Sequence, residues 1–298
     1  MICHDGAVSD LTPALPMPGV GSWPELPEPL PSPVPDSHCH LDISYDVDKH
    51  GPGLAVDEAL RQAAAVGVTR IVQVGYDVAS SRFGVEVANT HPQVVAAVAL
   101  HPNEAPRLSA SGTFDEAFAE IVELAADARV VAVGETGLDH FRTGPEGLHA
   151  QEESFRLHIA LAKALGKTLV IHDRDAHDDV VRVLHAEGAP DRVVFHCFSG
   201  GTELATQCAE HGWFMSFAGP VTFKANDHLR EALALAPADL VLVETDAPFL
   251  APLPHRGRPN ASYLIPVTLR AMAQVRGVDV DELASTIAAN TERAFGAW

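Results

Sequence analysis

Apolar runs of this chain stop, again and again, on a histidine or a carboxylate. The runs end in "SHCHLD" (His38, His40), "LHP" (His101), "VGETGLD" (Glu135, Asp139), "IHDRDA" (His172, Arg174), "FHCFSGG" (His196) and "VETDAPFL" (Glu244, Asp246). Residues two apart in an extended strand point to one face, so His38 and His40 aim two imidazoles at one spot while Cys39 points away. Imidazole and carboxylate are the ligands of divalent metals. His38, His40, Glu135, His172, His196 and Asp246 together form a set suited to two ions, which would activate a water and polarise a phosphoryl or carbonyl oxygen. In this arrangement His38, His40 and Asp246 serve one ion and His172 and His196 the other. Glu135, with two oxygens, bridges them.

Other residues near these have plainer roles open to them. Asp139 is either an outer partner of the site or a loop cap. Glu244 is expected to face away from Asp246, and Cys197 to turn into the core opposite His196. Arg174, two residues past His172, is expected to share its face. In "HRGRPNAS" (residues 255–262), Arg256 and Asn260 either bind a phosphate or fix the loop, Arg being suited to forked phosphate contacts. The histidines at 4, 50, 91, 149, 158, 177, 185, 211 and 228 fall in helices or loops and receive no role.

Such a constellation needs a scaffold that brings strand ends together. Runs read as strands are Val34–His38, Thr69–Val74, Val94–Leu100, Val130–Gly134, Thr168–Ile171, Val193–Phe195, Trp213–Phe217 and Leu240–Val243. They are continuously apolar, as parallel strands buried on both faces are. Helical patterns fill the gaps at Val56–Val66, Ser80–Thr90, Thr113–Asp127, Gln151–Leu165, Ala176–Glu187, Thr202–His211, Asp227–Leu235 and Tyr263–Arg276, and Asp279–Phe295 closes the chain. Eight such units in about 250 residues predict an α/β (β/α)8 TIM barrel, whose strand ends converge on one catalytic face. A doubly wound open sheet is the rival, and it lacks a Gly-rich phosphate loop after the first strand. Residues 1–35, "PALPMPGVGSWPELPEPLPSPVP" included, are too rich in proline for a helix or inner strand and predict an extended arm ahead of a domain at 36–298.

Composition bounds the function. The 298 residues are 47% hydrophobic and carry a formal charge of −20. That charge opposes an extended nucleic-acid surface but leaves room for one strand end or a small phosphodiester in a local pocket, where metal ions supply positive charge. No run is long enough to span a membrane and no signal peptide is read. Four cysteines without CxxC spacing point to free thiols in a reducing cytoplasm. A monomer is expected.

The motifs "DSHCHLD", "LHPNEA", "GETGLD", "IHDRDA", "FHCFSGG", "ETDAPFL" and "RGRPN" resemble, in order and interval, those of the TatD family of metal-dependent hydrolases in the amidohydrolase superfamily. The resemblance covers about residues 36–296. It implies a two-metal nuclease, several members being 3′–5′ deoxyribonucleases, with the six residues above as metal ligands and His101 near the substrate phosphate. It also makes Mg or Mn the working metals, although the histidine-rich set would suit Zn. The proline-rich arm and the "AS" after "RGRPN" depart from the family pattern. Asp246 is the expected general base. Arg256 and His101 would stabilise phosphoryl charge with the ions, and Arg174 could add to this. The same site could instead cleave an ester or amide, such as a D-aminoacyl-tRNA or a small cyclic amide. A binding barrel without catalysis is a third reading, opposed by the complete ligand set.

Overall fold

The computed structural model describes residues 23–44 and 46–298. Eight parallel strands follow in chain order around one sheet: β1 (Val34–Cys39), β2 (Val68–Val74), β3 (Val94–Val98), β4 (Val130–Asp139), β5 (Thr168–Arg174), β6 (Val193–Phe195), β7 (Phe214–Phe217) and β8 (Val241–Val243). The sheet curls until its ends meet. His40 N–H donates to Ala247 O at 2.8 Å and Asp246 N–H to His38 O at 3.0 Å, so β1 lies against the chain leaving β8. This is a (β/α)8 barrel.

Around it run α1 (Val47–His50), α2 (Val56–Ala65), α3 (Val78–Thr90), α4 (Glu104–Ser111), α5 (Phe114–Ala125), α6 (Pro145–Leu165), α7 (His177–Glu187), α8 (Thr202–His211), α9 (Asp227–Leu235), α10 (Ile265–Arg276) and α11 (Val280–Phe295). Val, Ile, Leu and Ala dominate the strands and are buried almost without exception, because helices cover the outer face of the sheet. No helix among the described residues is long and apolar enough to cross a membrane.

Two elements differ from the sequence reading near the site. The motif "GETGLD" is not a loop after β4 but its continuation, paired to β5 as far as Asp139 and Arg174 across an irregularity between Val133 and Thr136. Gly137 permits that pairing: its φ is +139°, and a Cβ there would stand 2.1 Å from His172 O. Helix α4 was not expected, since its short "EAPRLSAS" carries a proline, but Pro106 falls in the first turn, where no N–H is required.

The described part of the arm packs on the body. Leu30 is buried and its N–H donates to Val66 O, while Tyr263 Oη–H donates to Pro24 O and Arg258 to Trp23 O. Residues 1–22 of the expected arm lie outside the described residues, Cys3 and His4 among them. The three described cysteines, Cys39, Cys197 and Cys208, are free thiols.

One histidine given no role from sequence holds a strand end. His158 of α6 is fully buried, accepts Leu100 N–H at Nε2 (3.1 Å) and bonds Ser154 O through Nδ1 (2.7 Å). It thereby anchors the backbone just before His101. Burial pushes its pKa down to about 4 from 6.5. The fold therefore favours the neutral ring. Its stabilising effect is complete above pH 6.5 and is lost as pH falls toward 4, to the extent of about 3 kcal/mol. Urea unfolding at pH 7 and at pH 4.5 should show His158→Gln flattening this slope relative to the parent chain. Parallel slopes would remove His158 as its source.

Candidate metal centre

The six strand-end ligands converge at the mouth of the barrel. Glu135, from the middle of β4, stands among five histidines. Its Oε1 lies 4.0 Å from His38 Nε2 and 3.6 Å from His40 Nε2. Its Oε2 lies 2.7 Å from His196 Nε2, 3.3 Å from His172 Nδ1 and 4.0 Å from His101 Nε2. Asp246 Oδ1 lies 3.8 Å from His38 Nε2 and 3.5 Å from His40 Nε2. Three groups have ligand atoms within 4.8 Å of one another: His38–His40–Asp246, His38–Glu135–His196 and His101–Glu135–His172. The strand register explains the convergence, since five of the six side chains sit near or just past the C-terminal ends of their strands, and Glu135 projects from β4 where that strand runs on past the irregularity at Val133–Thr136.

The outer hydrogen bonds of the rings decide what their inner nitrogens offer. His40 Nδ1 faces Val74 O at 2.8 Å, an acceptor only, so Nδ1 carries the proton and Nε2 a lone pair. His172 Nε2 faces Asp139 Oδ2 at 3.2 Å, which leaves its Nδ1 as the lone pair aimed at Glu135. His196 Nδ1 faces Glu244 Oε1 at 3.2 Å, which leaves its Nε2 for Glu135. His38 Nδ1 is buried with no partner, and its Nε2 faces that of His40 at 3.3 Å. Lone pairs and carboxylate oxygens thus face one another at hydrogen-bond distance, which is repulsive unless a proton or a metal ion stands among them. The residues fit divalent metal ions, and carboxylate or carbonyl partners behind ligating histidines are the usual support of such sites.

His101 differs. Its Nδ1 accepts Asn103 N–H at 3.0 Å, so the proton sits on Nε2, which points into the site as a donor. Burial, reinforced by His172 and His196, pushes its pKa down to about 3. It is a neutral hydrogen-bond donor, and this tautomer is the wrong one for a metal ligand.

The charges follow the same plan. Burial opposes ionisation of Glu135, yet His196, His101 and His172 outweigh it and hold the carboxyl well below its ordinary value. Burial also opposes a charged His196, but Glu135 and Glu244 on its two sides outweigh it and favour positive charge at the ring, which a proton or a metal ion at Nε2 would supply.

Several sequence expectations need correction. Glu244 does not face away: it is fully buried behind His196, and its Oε1 also accepts Cys197 N–H at 2.7 Å. Glu244 directly follows the apolar run Val241–Val243, as His196 follows Val193–Phe195, and that position at a strand end could have found it. Cys197 is not packed into the core but is half-buried and lines the cleft, its backbone held at φ 41° by the bond to Glu244. Asn260 makes no approach to substrate. It is buried, and its Nδ2 donates to Thr245 O and Phe249 O, bracketing the turn that carries Asp246. Arg256 is exposed, lies with Cζ 4.7 Å from the Phe223 ring centroid, and does not line the cleft. Asp139 does both things open to it: Oδ2 faces His172 while Oδ1 accepts Phe141 and Arg142 N–H. Asp36 holds the other side of the same turn, accepting Thr245 N–H and Oγ1–H.

The cleft above these residues has a volume of about 640 Å³, and its lining includes Arg174, Arg142 and His101 as well as Phe217, Val221, Phe249 and Leu250.

Comparison with known proteins agrees with this architecture. The family model for TatD-related DNases matches residues 35–296. An uncharacterized metal-dependent hydrolase named TatD from Mycobacterium tuberculosis is 45% identical over 267 residues, 88% of this chain and 97% of the relative. The uncharacterized metal-dependent hydrolase YabD of Bacillus subtilis is 37% identical, over 87% of this chain and 98% of its own. The crystal structure of YJJV, a TatD homolog from Escherichia coli, superposes with a TM-score of 0.79 at 25% identity, covering 89% of this chain and 98% of that one.

Proposed function

This chain belongs to the TatD family of metal-dependent hydrolases, and on that premise we propose that it hydrolyses phosphodiester bonds with two divalent ions, as a 3′–5′ deoxyribonuclease acting on single-stranded ends. The observation that carries the reading is the set of histidine nitrogens gathered around both oxygens of Glu135. When bound, the ions supply Lewis acidity toward water and the phosphoryl oxygens. Mg or Mn is the working choice because phosphoryl oxygens are hard ligands.

The chain's own residues do the rest. Glu135 holds the two ligand groups in register. Asp246, beside His40 and open to the cleft, accepts the proton of the attacking water. His101 donates its Nε2–H to a phosphoryl oxygen, with no need to be charged. Arg174 and Arg142 set positive charge on the cleft wall.

Cleavage of 5′-labelled single-stranded DNA with Mg or Mn, and with a chelator, tests the proposal. A ladder shortening from the 3′ end, abolished by chelation, is the expected result. Intact DNA with metal-loaded protein would sink the nuclease reading and redirect the same centre to carboxylic esters or amides.

Glu244 has a measurable part in metal binding. Its carboxylate fixes the tautomer and plane of His196, and such outer partners are typically worth 10–100-fold in metal affinity. Glu244→Ala should weaken metal binding by roughly that factor in chelator competition. Glu244→Gln, which keeps an acceptor for one N–H, should lose less. Equal affinity in all three proteins would show that His196 is oriented without it.

A further inference from the structure

The cationic part of the cleft carries more than charge. Among the described residues, Arg142 and Arg174 are the only Lys or Arg side chains lining the cleft. Most guanidinium groups of this acidic chain are taken up by carboxylates or carbonyls, as Arg156 and Arg182 are by Glu152. Among the described residues, neither Arg142 nor Arg174 has a carboxylate oxygen within 4.0 Å. At the same rim stands Phe141. At 64% exposure it is the most exposed large apolar side chain among the described residues. The guanidinium of Arg174 lies over its ring, Cζ 4.1 Å from the centroid.

These residues are tied to the metal centre. Phe141 and Arg142 both donate backbone N–H groups to Asp139 Oδ1, at 3.0 and 2.8 Å, and Asp139 Oδ2 faces His172 at 3.2 Å. His140 N–H donates to Arg174 O at 2.9 Å, which locks the two strand ends together. An exposed aromatic ring beside guanidinium groups with no carboxylate partner is what a flexible polynucleotide meets in single-strand binding sites: bases stack on the ring and phosphates take the cations.

We propose that Phe141, Arg142 and Arg174 form a subsite for the nucleotide next to the scissile linkage, its base stacked at the Phe141–Arg174 pair and its phosphate on Arg142. The proposal rests on the phosphodiester reading and narrows it. A stacking subsite gives weight to a nucleotide chain over a small phosphodiester. It favours single strands, whose bases are free to stack, and it tolerates any base, since each has a π face.

The test uses the full chain loaded with Mn2+ and a 5′-fluorescein oligothymidylate whose bases near the 3′ end are replaced one at a time by abasic sites. Binding is read by anisotropy with phosphorothioate linkages at the 3′ end, and cleavage on gels with ordinary linkages. In the wild-type protein, one abasic position should weaken binding roughly tenfold, within the range of base–aromatic stacking. Phe141→Ala should show that loss already on the intact oligonucleotide and none further on the abasic one, while Phe141→Trp keeps wild-type binding. The exposure of Phe141 leaves the melting temperature of the alanine variant unchanged. If no abasic position matters, or if Phe141→Ala weakens intact and abasic strands equally, the subsite is overturned. Base-dependent binding without cleavage of ordinary linkages would keep the subsite and overturn phosphodiester hydrolysis. Cleavage without base dependence would do the reverse.

Discussion

Glu135→Ala should lose at least about a thousandfold in kcat/KM, with bound metal per chain falling measurably. Lewis-acid stabilisation by metal ions is worth several kcal/mol, and each 1.36 kcal/mol is a factor of ten. Among the described residues, Glu135 is the one carboxylate whose two oxygens face different histidines: Oε1 toward His38 and His40, Oε2 toward His196 and His172. Its removal takes a ligand from two of the three convergent groups at once. The fold should survive, because the histidines keep their outer partners Val74 O, Asp139 and Glu244. Elemental analysis of the dialysed variant, beside its circular dichroism, separates loss of metal from loss of fold. A well-folded variant that retains its full metal complement and its activity would show that Glu135 joins nothing.

Asp246→Asn should lower kcat by about a hundred- to ten-thousandfold, the usual worth of a positioned general base, while leaving most of the bound metal in place. Asparagine keeps an oxygen directed at His38 and His40 but cannot take a proton at neutral pH. It is also the substitution that the backbone tolerates. Asp246 sits at φ 54°, a left-handed conformation that Asp and Asn adopt more readily than other side chains. The turn is further held by Asn260 on Thr245 O and by Asp36 on Thr245 N–H. An alanine there would mix backbone strain with lost chemistry. Bound metal, kcat and KM measured on one preparation decide the matter. Loss of metal in parallel with kcat would make Asp246 a ligand and nothing more, and an unchanged kcat would place the base elsewhere.

The two expectations use different parts of the structure. The first needs only convergence of the ligands. The second depends on a strained turn that no local pattern announces.

Sequence alone determined the barrel and the candidate ligands that it brings together. Continuous apolar runs alternating with amphipathic ones dictate parallel strands covered by helices, and a barrel of such units brings every strand end to one face. Because the metal-binding residue types stand at those ends, their convergence follows from chain order without coordinates. His38, His40, Glu135, His172, His196 and Asp246 were all legible for this reason, and the structure brings them together. The tertiary structure decided how each group is used. Local spacing says nothing of partners far along the chain: Glu244 behind His196, Asp139 behind His172 and His158 behind Leu100 are pairings across 48, 33 and 58 residues. The ring proton positions of His172 and His196 follow from two of those partners and that of His40 from Val74 O, whereas His101 is set apart as a donor by the neighbouring Asn103 N–H. The same holds for "RGRPN", where Asn260 turns inward because two orphaned carbonyls of the Asp246 turn need a donor, and Arg256 stays outside because Phe223 offers its ring. A hydrogen-bonding group is spent where the folded chain leaves a buried partner unpaired, and that is a property of the packed barrel and not of any short stretch of sequence.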